Sequence, residues 1–333
     1  MLNVLLRSLF GFALMVASVG VFAADYRHRV EVQEFAEDFA KRHGRKPAEI
    51  MDILQDGEQQ QAILDAISRP AERVLTWGDY RTIFLEPKRI RKGVEFWNTH
   101  AAVIDAASRR YGVEPEIIVA IIGVETRYGT QTGKYRVLDA LMTLGFDYEP
   151  RAPFFLGQLE EFLLMGGETD IDLMELTGSY AGAMGYGQFI PGSYRKFAVD
   201  HDGDGFADIW NNPADAIASV AHYFSRHGWQ YGNLVVAPVL VLEPLDEGQR
   251  KLLSSQLEPE HAVRVFRKAG IGIPAEIRNS KKATLMELVT AEGTEYWLGF
   301  GNFYAITRYN HSHLYAMAVY QLGQLIKMER HIP

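Results

Sequence analysis

The stretch IIVAIIGVETRYG, residues 117–129, passes through eight residues without a polar side chain and then reaches Glu125. An ionised carboxylate in so apolar a setting costs several kcal/mol unless it is paired, and the common response is a raised pKa. Two readings follow. A carboxyl kept neutral near pH 7 is what a general acid needs for a poor leaving group. A Glu125 paired with Arg127 or Arg151 at the helix end would instead be structural.

A second set of carboxylates has a sharper spacing. In DHDGDGFADIWNNPAD, Asp200, Asp202 and Asp204 followed by Gly205 match positions 1, 3, 5 and 6 of a calcium loop, and Phe206 would supply a backbone carbonyl at position 7. Carboxylates this close repel one another unless a cation lies between them. Asn211 stands at position 12 in place of the usual bidentate Glu, so Asp208 or Asp215 would have to complete the ligand set. The competing reading is an Asp-rich surface turn. His201, His222 and His227 lack a zinc-ligand spacing.

The segment GSYAGAMGYGQFIPGSY, residues 178–194, has glycine at 178, 182, 185 and 187 but no Gly-Lys-Ser/Thr ending of a phosphate loop. Such glycines let backbone approach a ligand or another helix closely. Ser179 and Gln188 could then hydrogen-bond a polar substrate; otherwise the segment is a tight loop that only packs. Aromatic rings with a polar tip suit the faces of sugars. Tyr80 and Trp77 in LTWGDY, Tyr223, and Tyr309 and Tyr315 in TRYNHSHLY are of this kind, and each is also a natural core residue.

The elements that would position these residues are mostly helical. EFAEDFAKRHG and EFWNTHAAVIDAASRRYG repeat apolar positions at three and four, Pro115 suits the first turn of the helix bearing Glu125, and PFFLGQLEEFLLMGG reads as a helix ended by its glycine pair. Asn212 and Pro213 mark a helix start for ADAIASVAHYFSRHG. The β-branched NLVVAPVLVLEP and the alternating EYWLGFGNFYAITRY predict a small sheet between about 233 and 309, and SHLYAMAVYQLGQLIKM closes the chain as a helix. Helices first and strands later, without regular βα alternation, give an α+β fold, mainly α.

The 333 residues begin with one Arg, an apolar run over 9–22 and then small residues, the layout of a secretory signal peptide ending at residue 24. Its removal takes away Arg7 and no acid, moving the net charge from −8 to −9. An acidic chain with scattered cations argues against nucleic acid as partner. The basic run PKRIRKG, residues 87–93, reads as a solvated helix face. With no cysteine there is neither a disulfide nor a lipid-modified Cys, so a soluble periplasmic protein is expected.

Taken together, GVETRYG, FDYEPRAPFF, SYAGAMGYGQFIPGSY, the Asp-rich loop with IWNNPADAIASVAHYF, and ITRYNHSHLYAMAV make the chain similar to the lytic murein transglycosylase B family from about residue 70 to 325. The resemblance implies a lysozyme-like catalytic core flanked by a helical domain and a small β domain. The division expected is 1–24 signal peptide, 25–110 helical domain, 111–232 catalytic core with calcium loop, 233–310 β-containing region and 311–333 C-terminal helix. It implies cleavage of the β-1,4 bond between N-acetylmuramic acid and N-acetylglucosamine in peptidoglycan strands, with a 1,6-anhydromuramyl product. Glu125 matches the single residue that acts first as acid and then as base. Ser179, Gln188, Tyr223, Tyr309, Asn310, Tyr315, Tyr80 and Arg151 match positions that contact substrate, Pro150 replacing the first of the family's two adjacent arginines. Asp200, Asp202, Asp204, Asp215 and the Phe206 backbone match a structural calcium site; no organic cofactor is implied. Other cell-wall enzymes are conceivable partners, nucleic acid is not. The lipid-anchored members carry a Cys that this chain lacks.

Two other functions fit the same residues. A muramidase would use water and needs a second carboxylate, ~5 Å away if retaining or ~6.5–9.5 Å if inverting. Asp147 is a candidate for that role, although it reads as structural. A non-catalytic peptidoglycan-binding module would need no high-titrating carboxyl at all.

Overall fold

The structure, a computed structural model, describes residues 26–331 apart from 69–74, 169–170, 242–244 and 254–256; the expected signal peptide lies outside the described residues. The N-terminal half is helical: α1 (Val30–His43), α2 (Pro47–Leu54), α3 (Gln61–Ser68), α4 (Trp77–Phe84), α5 (Pro87–Thr99), α6 (Ala101–Tyr111) and α7 (Pro115–Thr126). The two-residue strand β1 (Tyr135–Arg136) precedes α8 (Val137–Phe146) and α9 (Ala152–Glu168), and pairs with β2 (Thr177–Gly178). After α10 (Pro191–Phe197) and α11 (Pro213–Arg226) come β3 (Val236–Val239), α12 (Glu247–Arg250), β4 (His261–Ala262), α13 (Val263–Lys268), β5 (Lys282–Thr290) and β6 (Gly293–Gly299). Two helices end the chain, α14 (Gly301–Tyr309) and α15 (His313–Arg330). The larger sheet is antiparallel in the order β3-β6-β5-β4, with Val236 opposite Gly299 and Glu287 opposite Tyr296.

Local signals set several boundaries. The Gly44 backbone adopts φ 65° and its N–H closes α1 on Ala40 O, the left-handed C-cap that glycine accepts without strain. Asn212 caps α11 by accepting from Ala214 N at 3.0 Å, with Pro213 in the first turn. Ser312 caps α15 in the same way through Tyr315 N. The helix α9 differs from expectation by running through its glycine pair to Glu168.

The helix α7 packs against α5, α6, α11 and α15, which is why residues 117–122 are apolar on every side. Each such Ile or Val buried contributes ~1.5–3 kcal/mol. The approach of α15 depends on Gly323, where a Cβ would come within 2.9 Å of Glu116 O. A second core joins α1 and α2 to α8 and α9 around Phe39, Leu141 and Phe162, and a third lies on the sheet around Phe266, Leu285 and Leu298.

One expectation needs correction. Residues 301–309, read as part of a strand, form the helix α14. The alternating aromatics also satisfy a helical period, placing Asn302, Phe303, Ala305 and Ile306 inward. Asn302 fixes the turn: its amide donates to Gln230 O at 2.9 Å and its carbonyl accepts from Gln230 N at 2.9 Å. Burial and these bonds outweigh the strand propensity of the sequence.

Candidate active site

Glu125 stands in the last turn of α7, half-buried, and accepts a 2.5 Å hydrogen bond from the Tyr315 hydroxyl of α15. Burial pushes its carboxyl up to about 7, while the Tyr315 bond pulls in the opposite direction. No charged group contributes to that shift. The structural alternatives are accounted for elsewhere: Arg127 faces Glu86 at 3.6 Å, and the Arg151 guanidinium lies 4.5 Å over the Phe154 ring. Among the described residues Glu125 has no ion pair. Asp147 is engaged at the N-terminal helices, accepting from Tyr26 Oη and Arg29, each at 2.6 Å.

Three phenols surround the carboxyl. Those of Tyr80, Tyr309 and Tyr315 are all raised, first by burial and next by the field of Glu125. They arrive from α4, α14 and α15, so three separate segments converge on one group. Tyr309 donates to Gly187 O at 2.6 Å, and Tyr223 of α11 donates to Arg308 O at 2.6 Å. An adjoining cavity of about 550 Å³ is lined by Arg151, Gln188, Tyr223, Tyr309 and Asn310. Of the residues expected to meet substrate, this cavity gathers those five, Tyr315 is bonded to the carboxyl and Tyr80 lies within its field. Ser179 is occupied within its own loop, where its Oγ accepts from Ala181 N and Ala183 N at 3.3 and 3.1 Å.

The glycine-bearing segment folds back on itself: Met184 and Phe189 exchange both backbone bonds at 2.9 Å. Gly185 adopts φ 66°, and a Cβ there would lie 2.4 Å from Ile209 O. Gln188 is held at φ 52° by its side chain, which donates to Thr132 O and Gly185 O at 3.1 and 3.0 Å. Arg127 and Tyr128 also have positive φ, 50° and 61°. Such left-handed non-glycine residues cost of order 1 kcal/mol or more and gather at functional sites.

Sequence reasoning missed two contributors. The side chain of Thr126, fully buried beside Glu125, donates to Tyr186 O at 2.9 Å and accepts from Gly129 N at 3.0 Å, tying α7 to the glycine segment. Arg308 lines the 550 Å³ cavity, its guanidinium 4.2 Å over the Tyr304 ring and its buried Nε without a partner. The invariably charged Arg side chain within the quoted stretch ITRYNHSH was the available signal.

In the Asp-rich loop, carboxylate oxygens of Asp200, Asp202 and Asp204 lie within 4.8 Å of one another. Gly203 and Gly205 take φ 79° and 97°, and both donate to Asp200. Convergent carboxylates on a tight turn fit a hard cation such as calcium. Asp215 stands apart from this trio: it is fully buried in the first turn of α11, and its two oxygens accept from His201 N at 2.7 Å and Asp208 N at 2.8 Å. It therefore braces both arms of the loop, and burial raises its carboxyl against the pull of those two bonds. The Phe206 carbonyl accepts from Asp208 N at 3.1 Å.

A family model described as the transglycosylase SLT domain matches residues 27–324. Membrane-bound lytic murein transglycosylase B of Escherichia coli is 40% identical over 315 residues, which cover 92% of this chain and 85% of that protein. The structure of the catenated lytic transglycosylase SltB1 from Pseudomonas aeruginosa superposes with a TM-score of 0.87 at 49% identity, over 92% of this chain and all of that one. The Escherichia coli lytic transglycosylase Slt35, solved in complex with calcium, gives 0.82 at 41% identity over 92% and 96% of the two chains. The α+β, mainly helical fold with its lysozyme-like core is thus that of its structural neighbours. The expectation drawn from GVETRYG and its companion stretches holds: this chain belongs to the transglycosylase SLT-domain family, among the lytic murein transglycosylases of the B type.

Proposed function

We propose that this lytic transglycosylase cleaves the β-1,4 bond between N-acetylmuramic acid and N-acetylglucosamine in peptidoglycan, with Glu125 as acid and then base. The observation that carries the reading is a lone, high-titrating carboxyl bonded to Tyr315 and ringed by phenols. In its neutral form Glu125 protonates the glycosidic oxygen as the bond to C1 breaks. The resulting carboxylate then takes the proton of the muramyl C6 hydroxyl, whose oxygen closes on C1 and leaves a 1,6-anhydro end. No water enters. An ordinary retaining or inverting hydrolase would need a second carboxylate; with Asp147 bound to Arg29 and no charge perturbing Glu125, the geometry favours the intramolecular route.

Arg151, Gln188, Tyr223, Tyr309 and Asn310 then form the glycan site beside Glu125, Tyr80 and Tyr315 flank the reacting bond, and Ser179 shapes the loop that bears Gln188. Calcium would be held by Asp200, Asp202 and Asp204, with Asp215 supporting the loop and the Phe206 carbonyl at its rim; its role there is structural. The site of action is the periplasm. Among the described residues no helix is long and apolar enough to cross a membrane.

Mass spectrometry of borohydride-treated peptidoglycan digests tests the mechanism. Wild type yields anhydromuramyl ends that resist reduction. Glu125→Gln lowers their rate of formation by at least ~10²–10⁴-fold, the usual contribution of acid–base catalysis. Reducible muramic acid ends from wild type would make the enzyme a muramidase.

A further inference from the structure

Beside the C-terminal end of α7 lies a smaller cavity of about 210 Å³ that the cleavage chemistry does not use. Lys88, Arg89 and Lys92 of α5 line it together with Arg127, and Glu86 is its one carboxylate. Four cations against one acid is notable in a chain of net charge −8. Arg89 is 4% exposed. One of its nitrogens donates to Gly123 O at 3.0 Å, but its buried Nε has no hydrogen-bond partner, the Glu86 oxygen being 3.9 Å away. Glu86 also faces Arg127 at 3.6 Å, so one carboxylate is shared at long range between two guanidinium groups. Lys88 and Lys92 have no ion pair among the described residues.

The start of α5 adds to this imbalance, whereas the carbonyls at the C-terminal end of α7 offset part of it. Lys88 and Arg89 occupy the first turn of α5, which contains no acid, at the end where the helix dipole favours negative charge. A buried cation short of partners is costly until an anion compensates it. Ring contacts also link Arg89 to a tyrosine near Glu125. Tyr80, which feels the field of Glu125, stands 5.0 Å from the Phe84 ring, and the Arg89 guanidinium lies 5.0 Å over that same ring.

We propose that this pocket binds a carboxylate of the peptide stem borne by the glycan, an inference that rests on the peptidoglycan reading above. N-acetylated sugars joined to a stem have no charge to offer it, whereas the stem carries carboxylates. A stem of a few residues spans ~10–15 Å at ~3.3–3.6 Å per residue, so it reaches past Tyr80 and Phe84 while its sugar stays at Glu125. The Arg89 and Arg127 forks match a carboxylate's geometry, and Lys88 and Lys92 add point charges.

The experiment compares kcat/KM on stem-bearing peptidoglycan strands with that on strands stripped of stems by an amidase. In Lys88→Gln/Lys92→Gln, which alters one exposed and one half-buried lysine, the preference for stem-bearing strands falls about tenfold, through KM rather than kcat. Glu86→Gln removes the competing carboxylate and raises the preference. An unchanged preference in the lysine variant, or a fall in Glu86→Gln, overturns the pocket. Wild type that makes no anhydro ends from either polymer overturns the transglycosylase reading instead.

Discussion

At the scale of the residue, the proton on Glu125 is linked to stability. Its folded pKa of about 7 exceeds the ordinary 4.5, so the folded state favours the proton. The stabilisation of the neutral form is complete below pH 4.5 and is lost as pH rises through 7. Glutamine has nothing to ionise and still accepts from Tyr315. Glu125→Gln should therefore match wild type at pH 4 and exceed it at pH 8.5. A shift of this size has a ceiling of ~3 kcal/mol; the carboxyl is partly solvated, so about 1–2 kcal/mol, or roughly 3 °C in Tm, is expected. Melting curves at the two pH values check it, and a variant gaining nothing at high pH would mean that Glu125 is not high-titrating.

At the scale of the element, the Asp-rich loop depends on what its turns cannot do alone. Asp200 is held down first by the backbone N–H of Gly205, and Asp202 accepts from the Asn212 side chain at 2.8 Å. These bonds organise the loop but leave three negative charges together. Calcium present at about a hundred times its Kd should add ~2.7 kcal/mol, visible as a Tm several degrees higher than in chelator. Asp202→Asn should abolish that difference without unfolding the chain. A wild-type Tm indifferent to chelator would remove calcium from the account. Asp215 does not take the place of the carboxylate missing at position 12, because its oxygens are committed to backbone N–H groups on both arms of the loop.

At the scale of the whole molecule, the helix that bears Glu125 is packed against α15. Lys327 in the last part of α15 donates to Glu116 in the first turn of α7 at 2.7 Å, and the Glu116 side chain is 5% exposed. That bond is the first cause of the raised Lys327 pKa. Lys327 is itself 45% exposed, so screening limits the pair. Lys327→Met should cost about 1 kcal/mol, mostly from the carboxylate left behind. Glu116→Gln/Lys327→Met should cost less than the single changes added together. Urea midpoints at unchanged m report both, and equal midpoints for wild type and Lys327→Met would show that the two helices are held by packing alone.

The sequence by itself determined what is local. Eight apolar residues before Glu125, Pro115 and Pro213 at helix starts, Asn212 as a cap, and Asp200, Asp202 and Asp204 two apart are short-range signals, and each is seen in the fold. Tertiary structure alone decided what depends on distant segments meeting. Tyr315 reaches Glu125 across 190 positions, Asp147 goes to Arg29 across 118, and Asn302 turns an alternating aromatic stretch into α14. The PKRIRKG run, legible only as a solvated face, becomes one wall of a cationic pocket once Arg89 is pinned against the end of α7. Periodicity and capping act within a turn or two of chain, whereas partner choice for a buried charge is made by whichever helices pack around it.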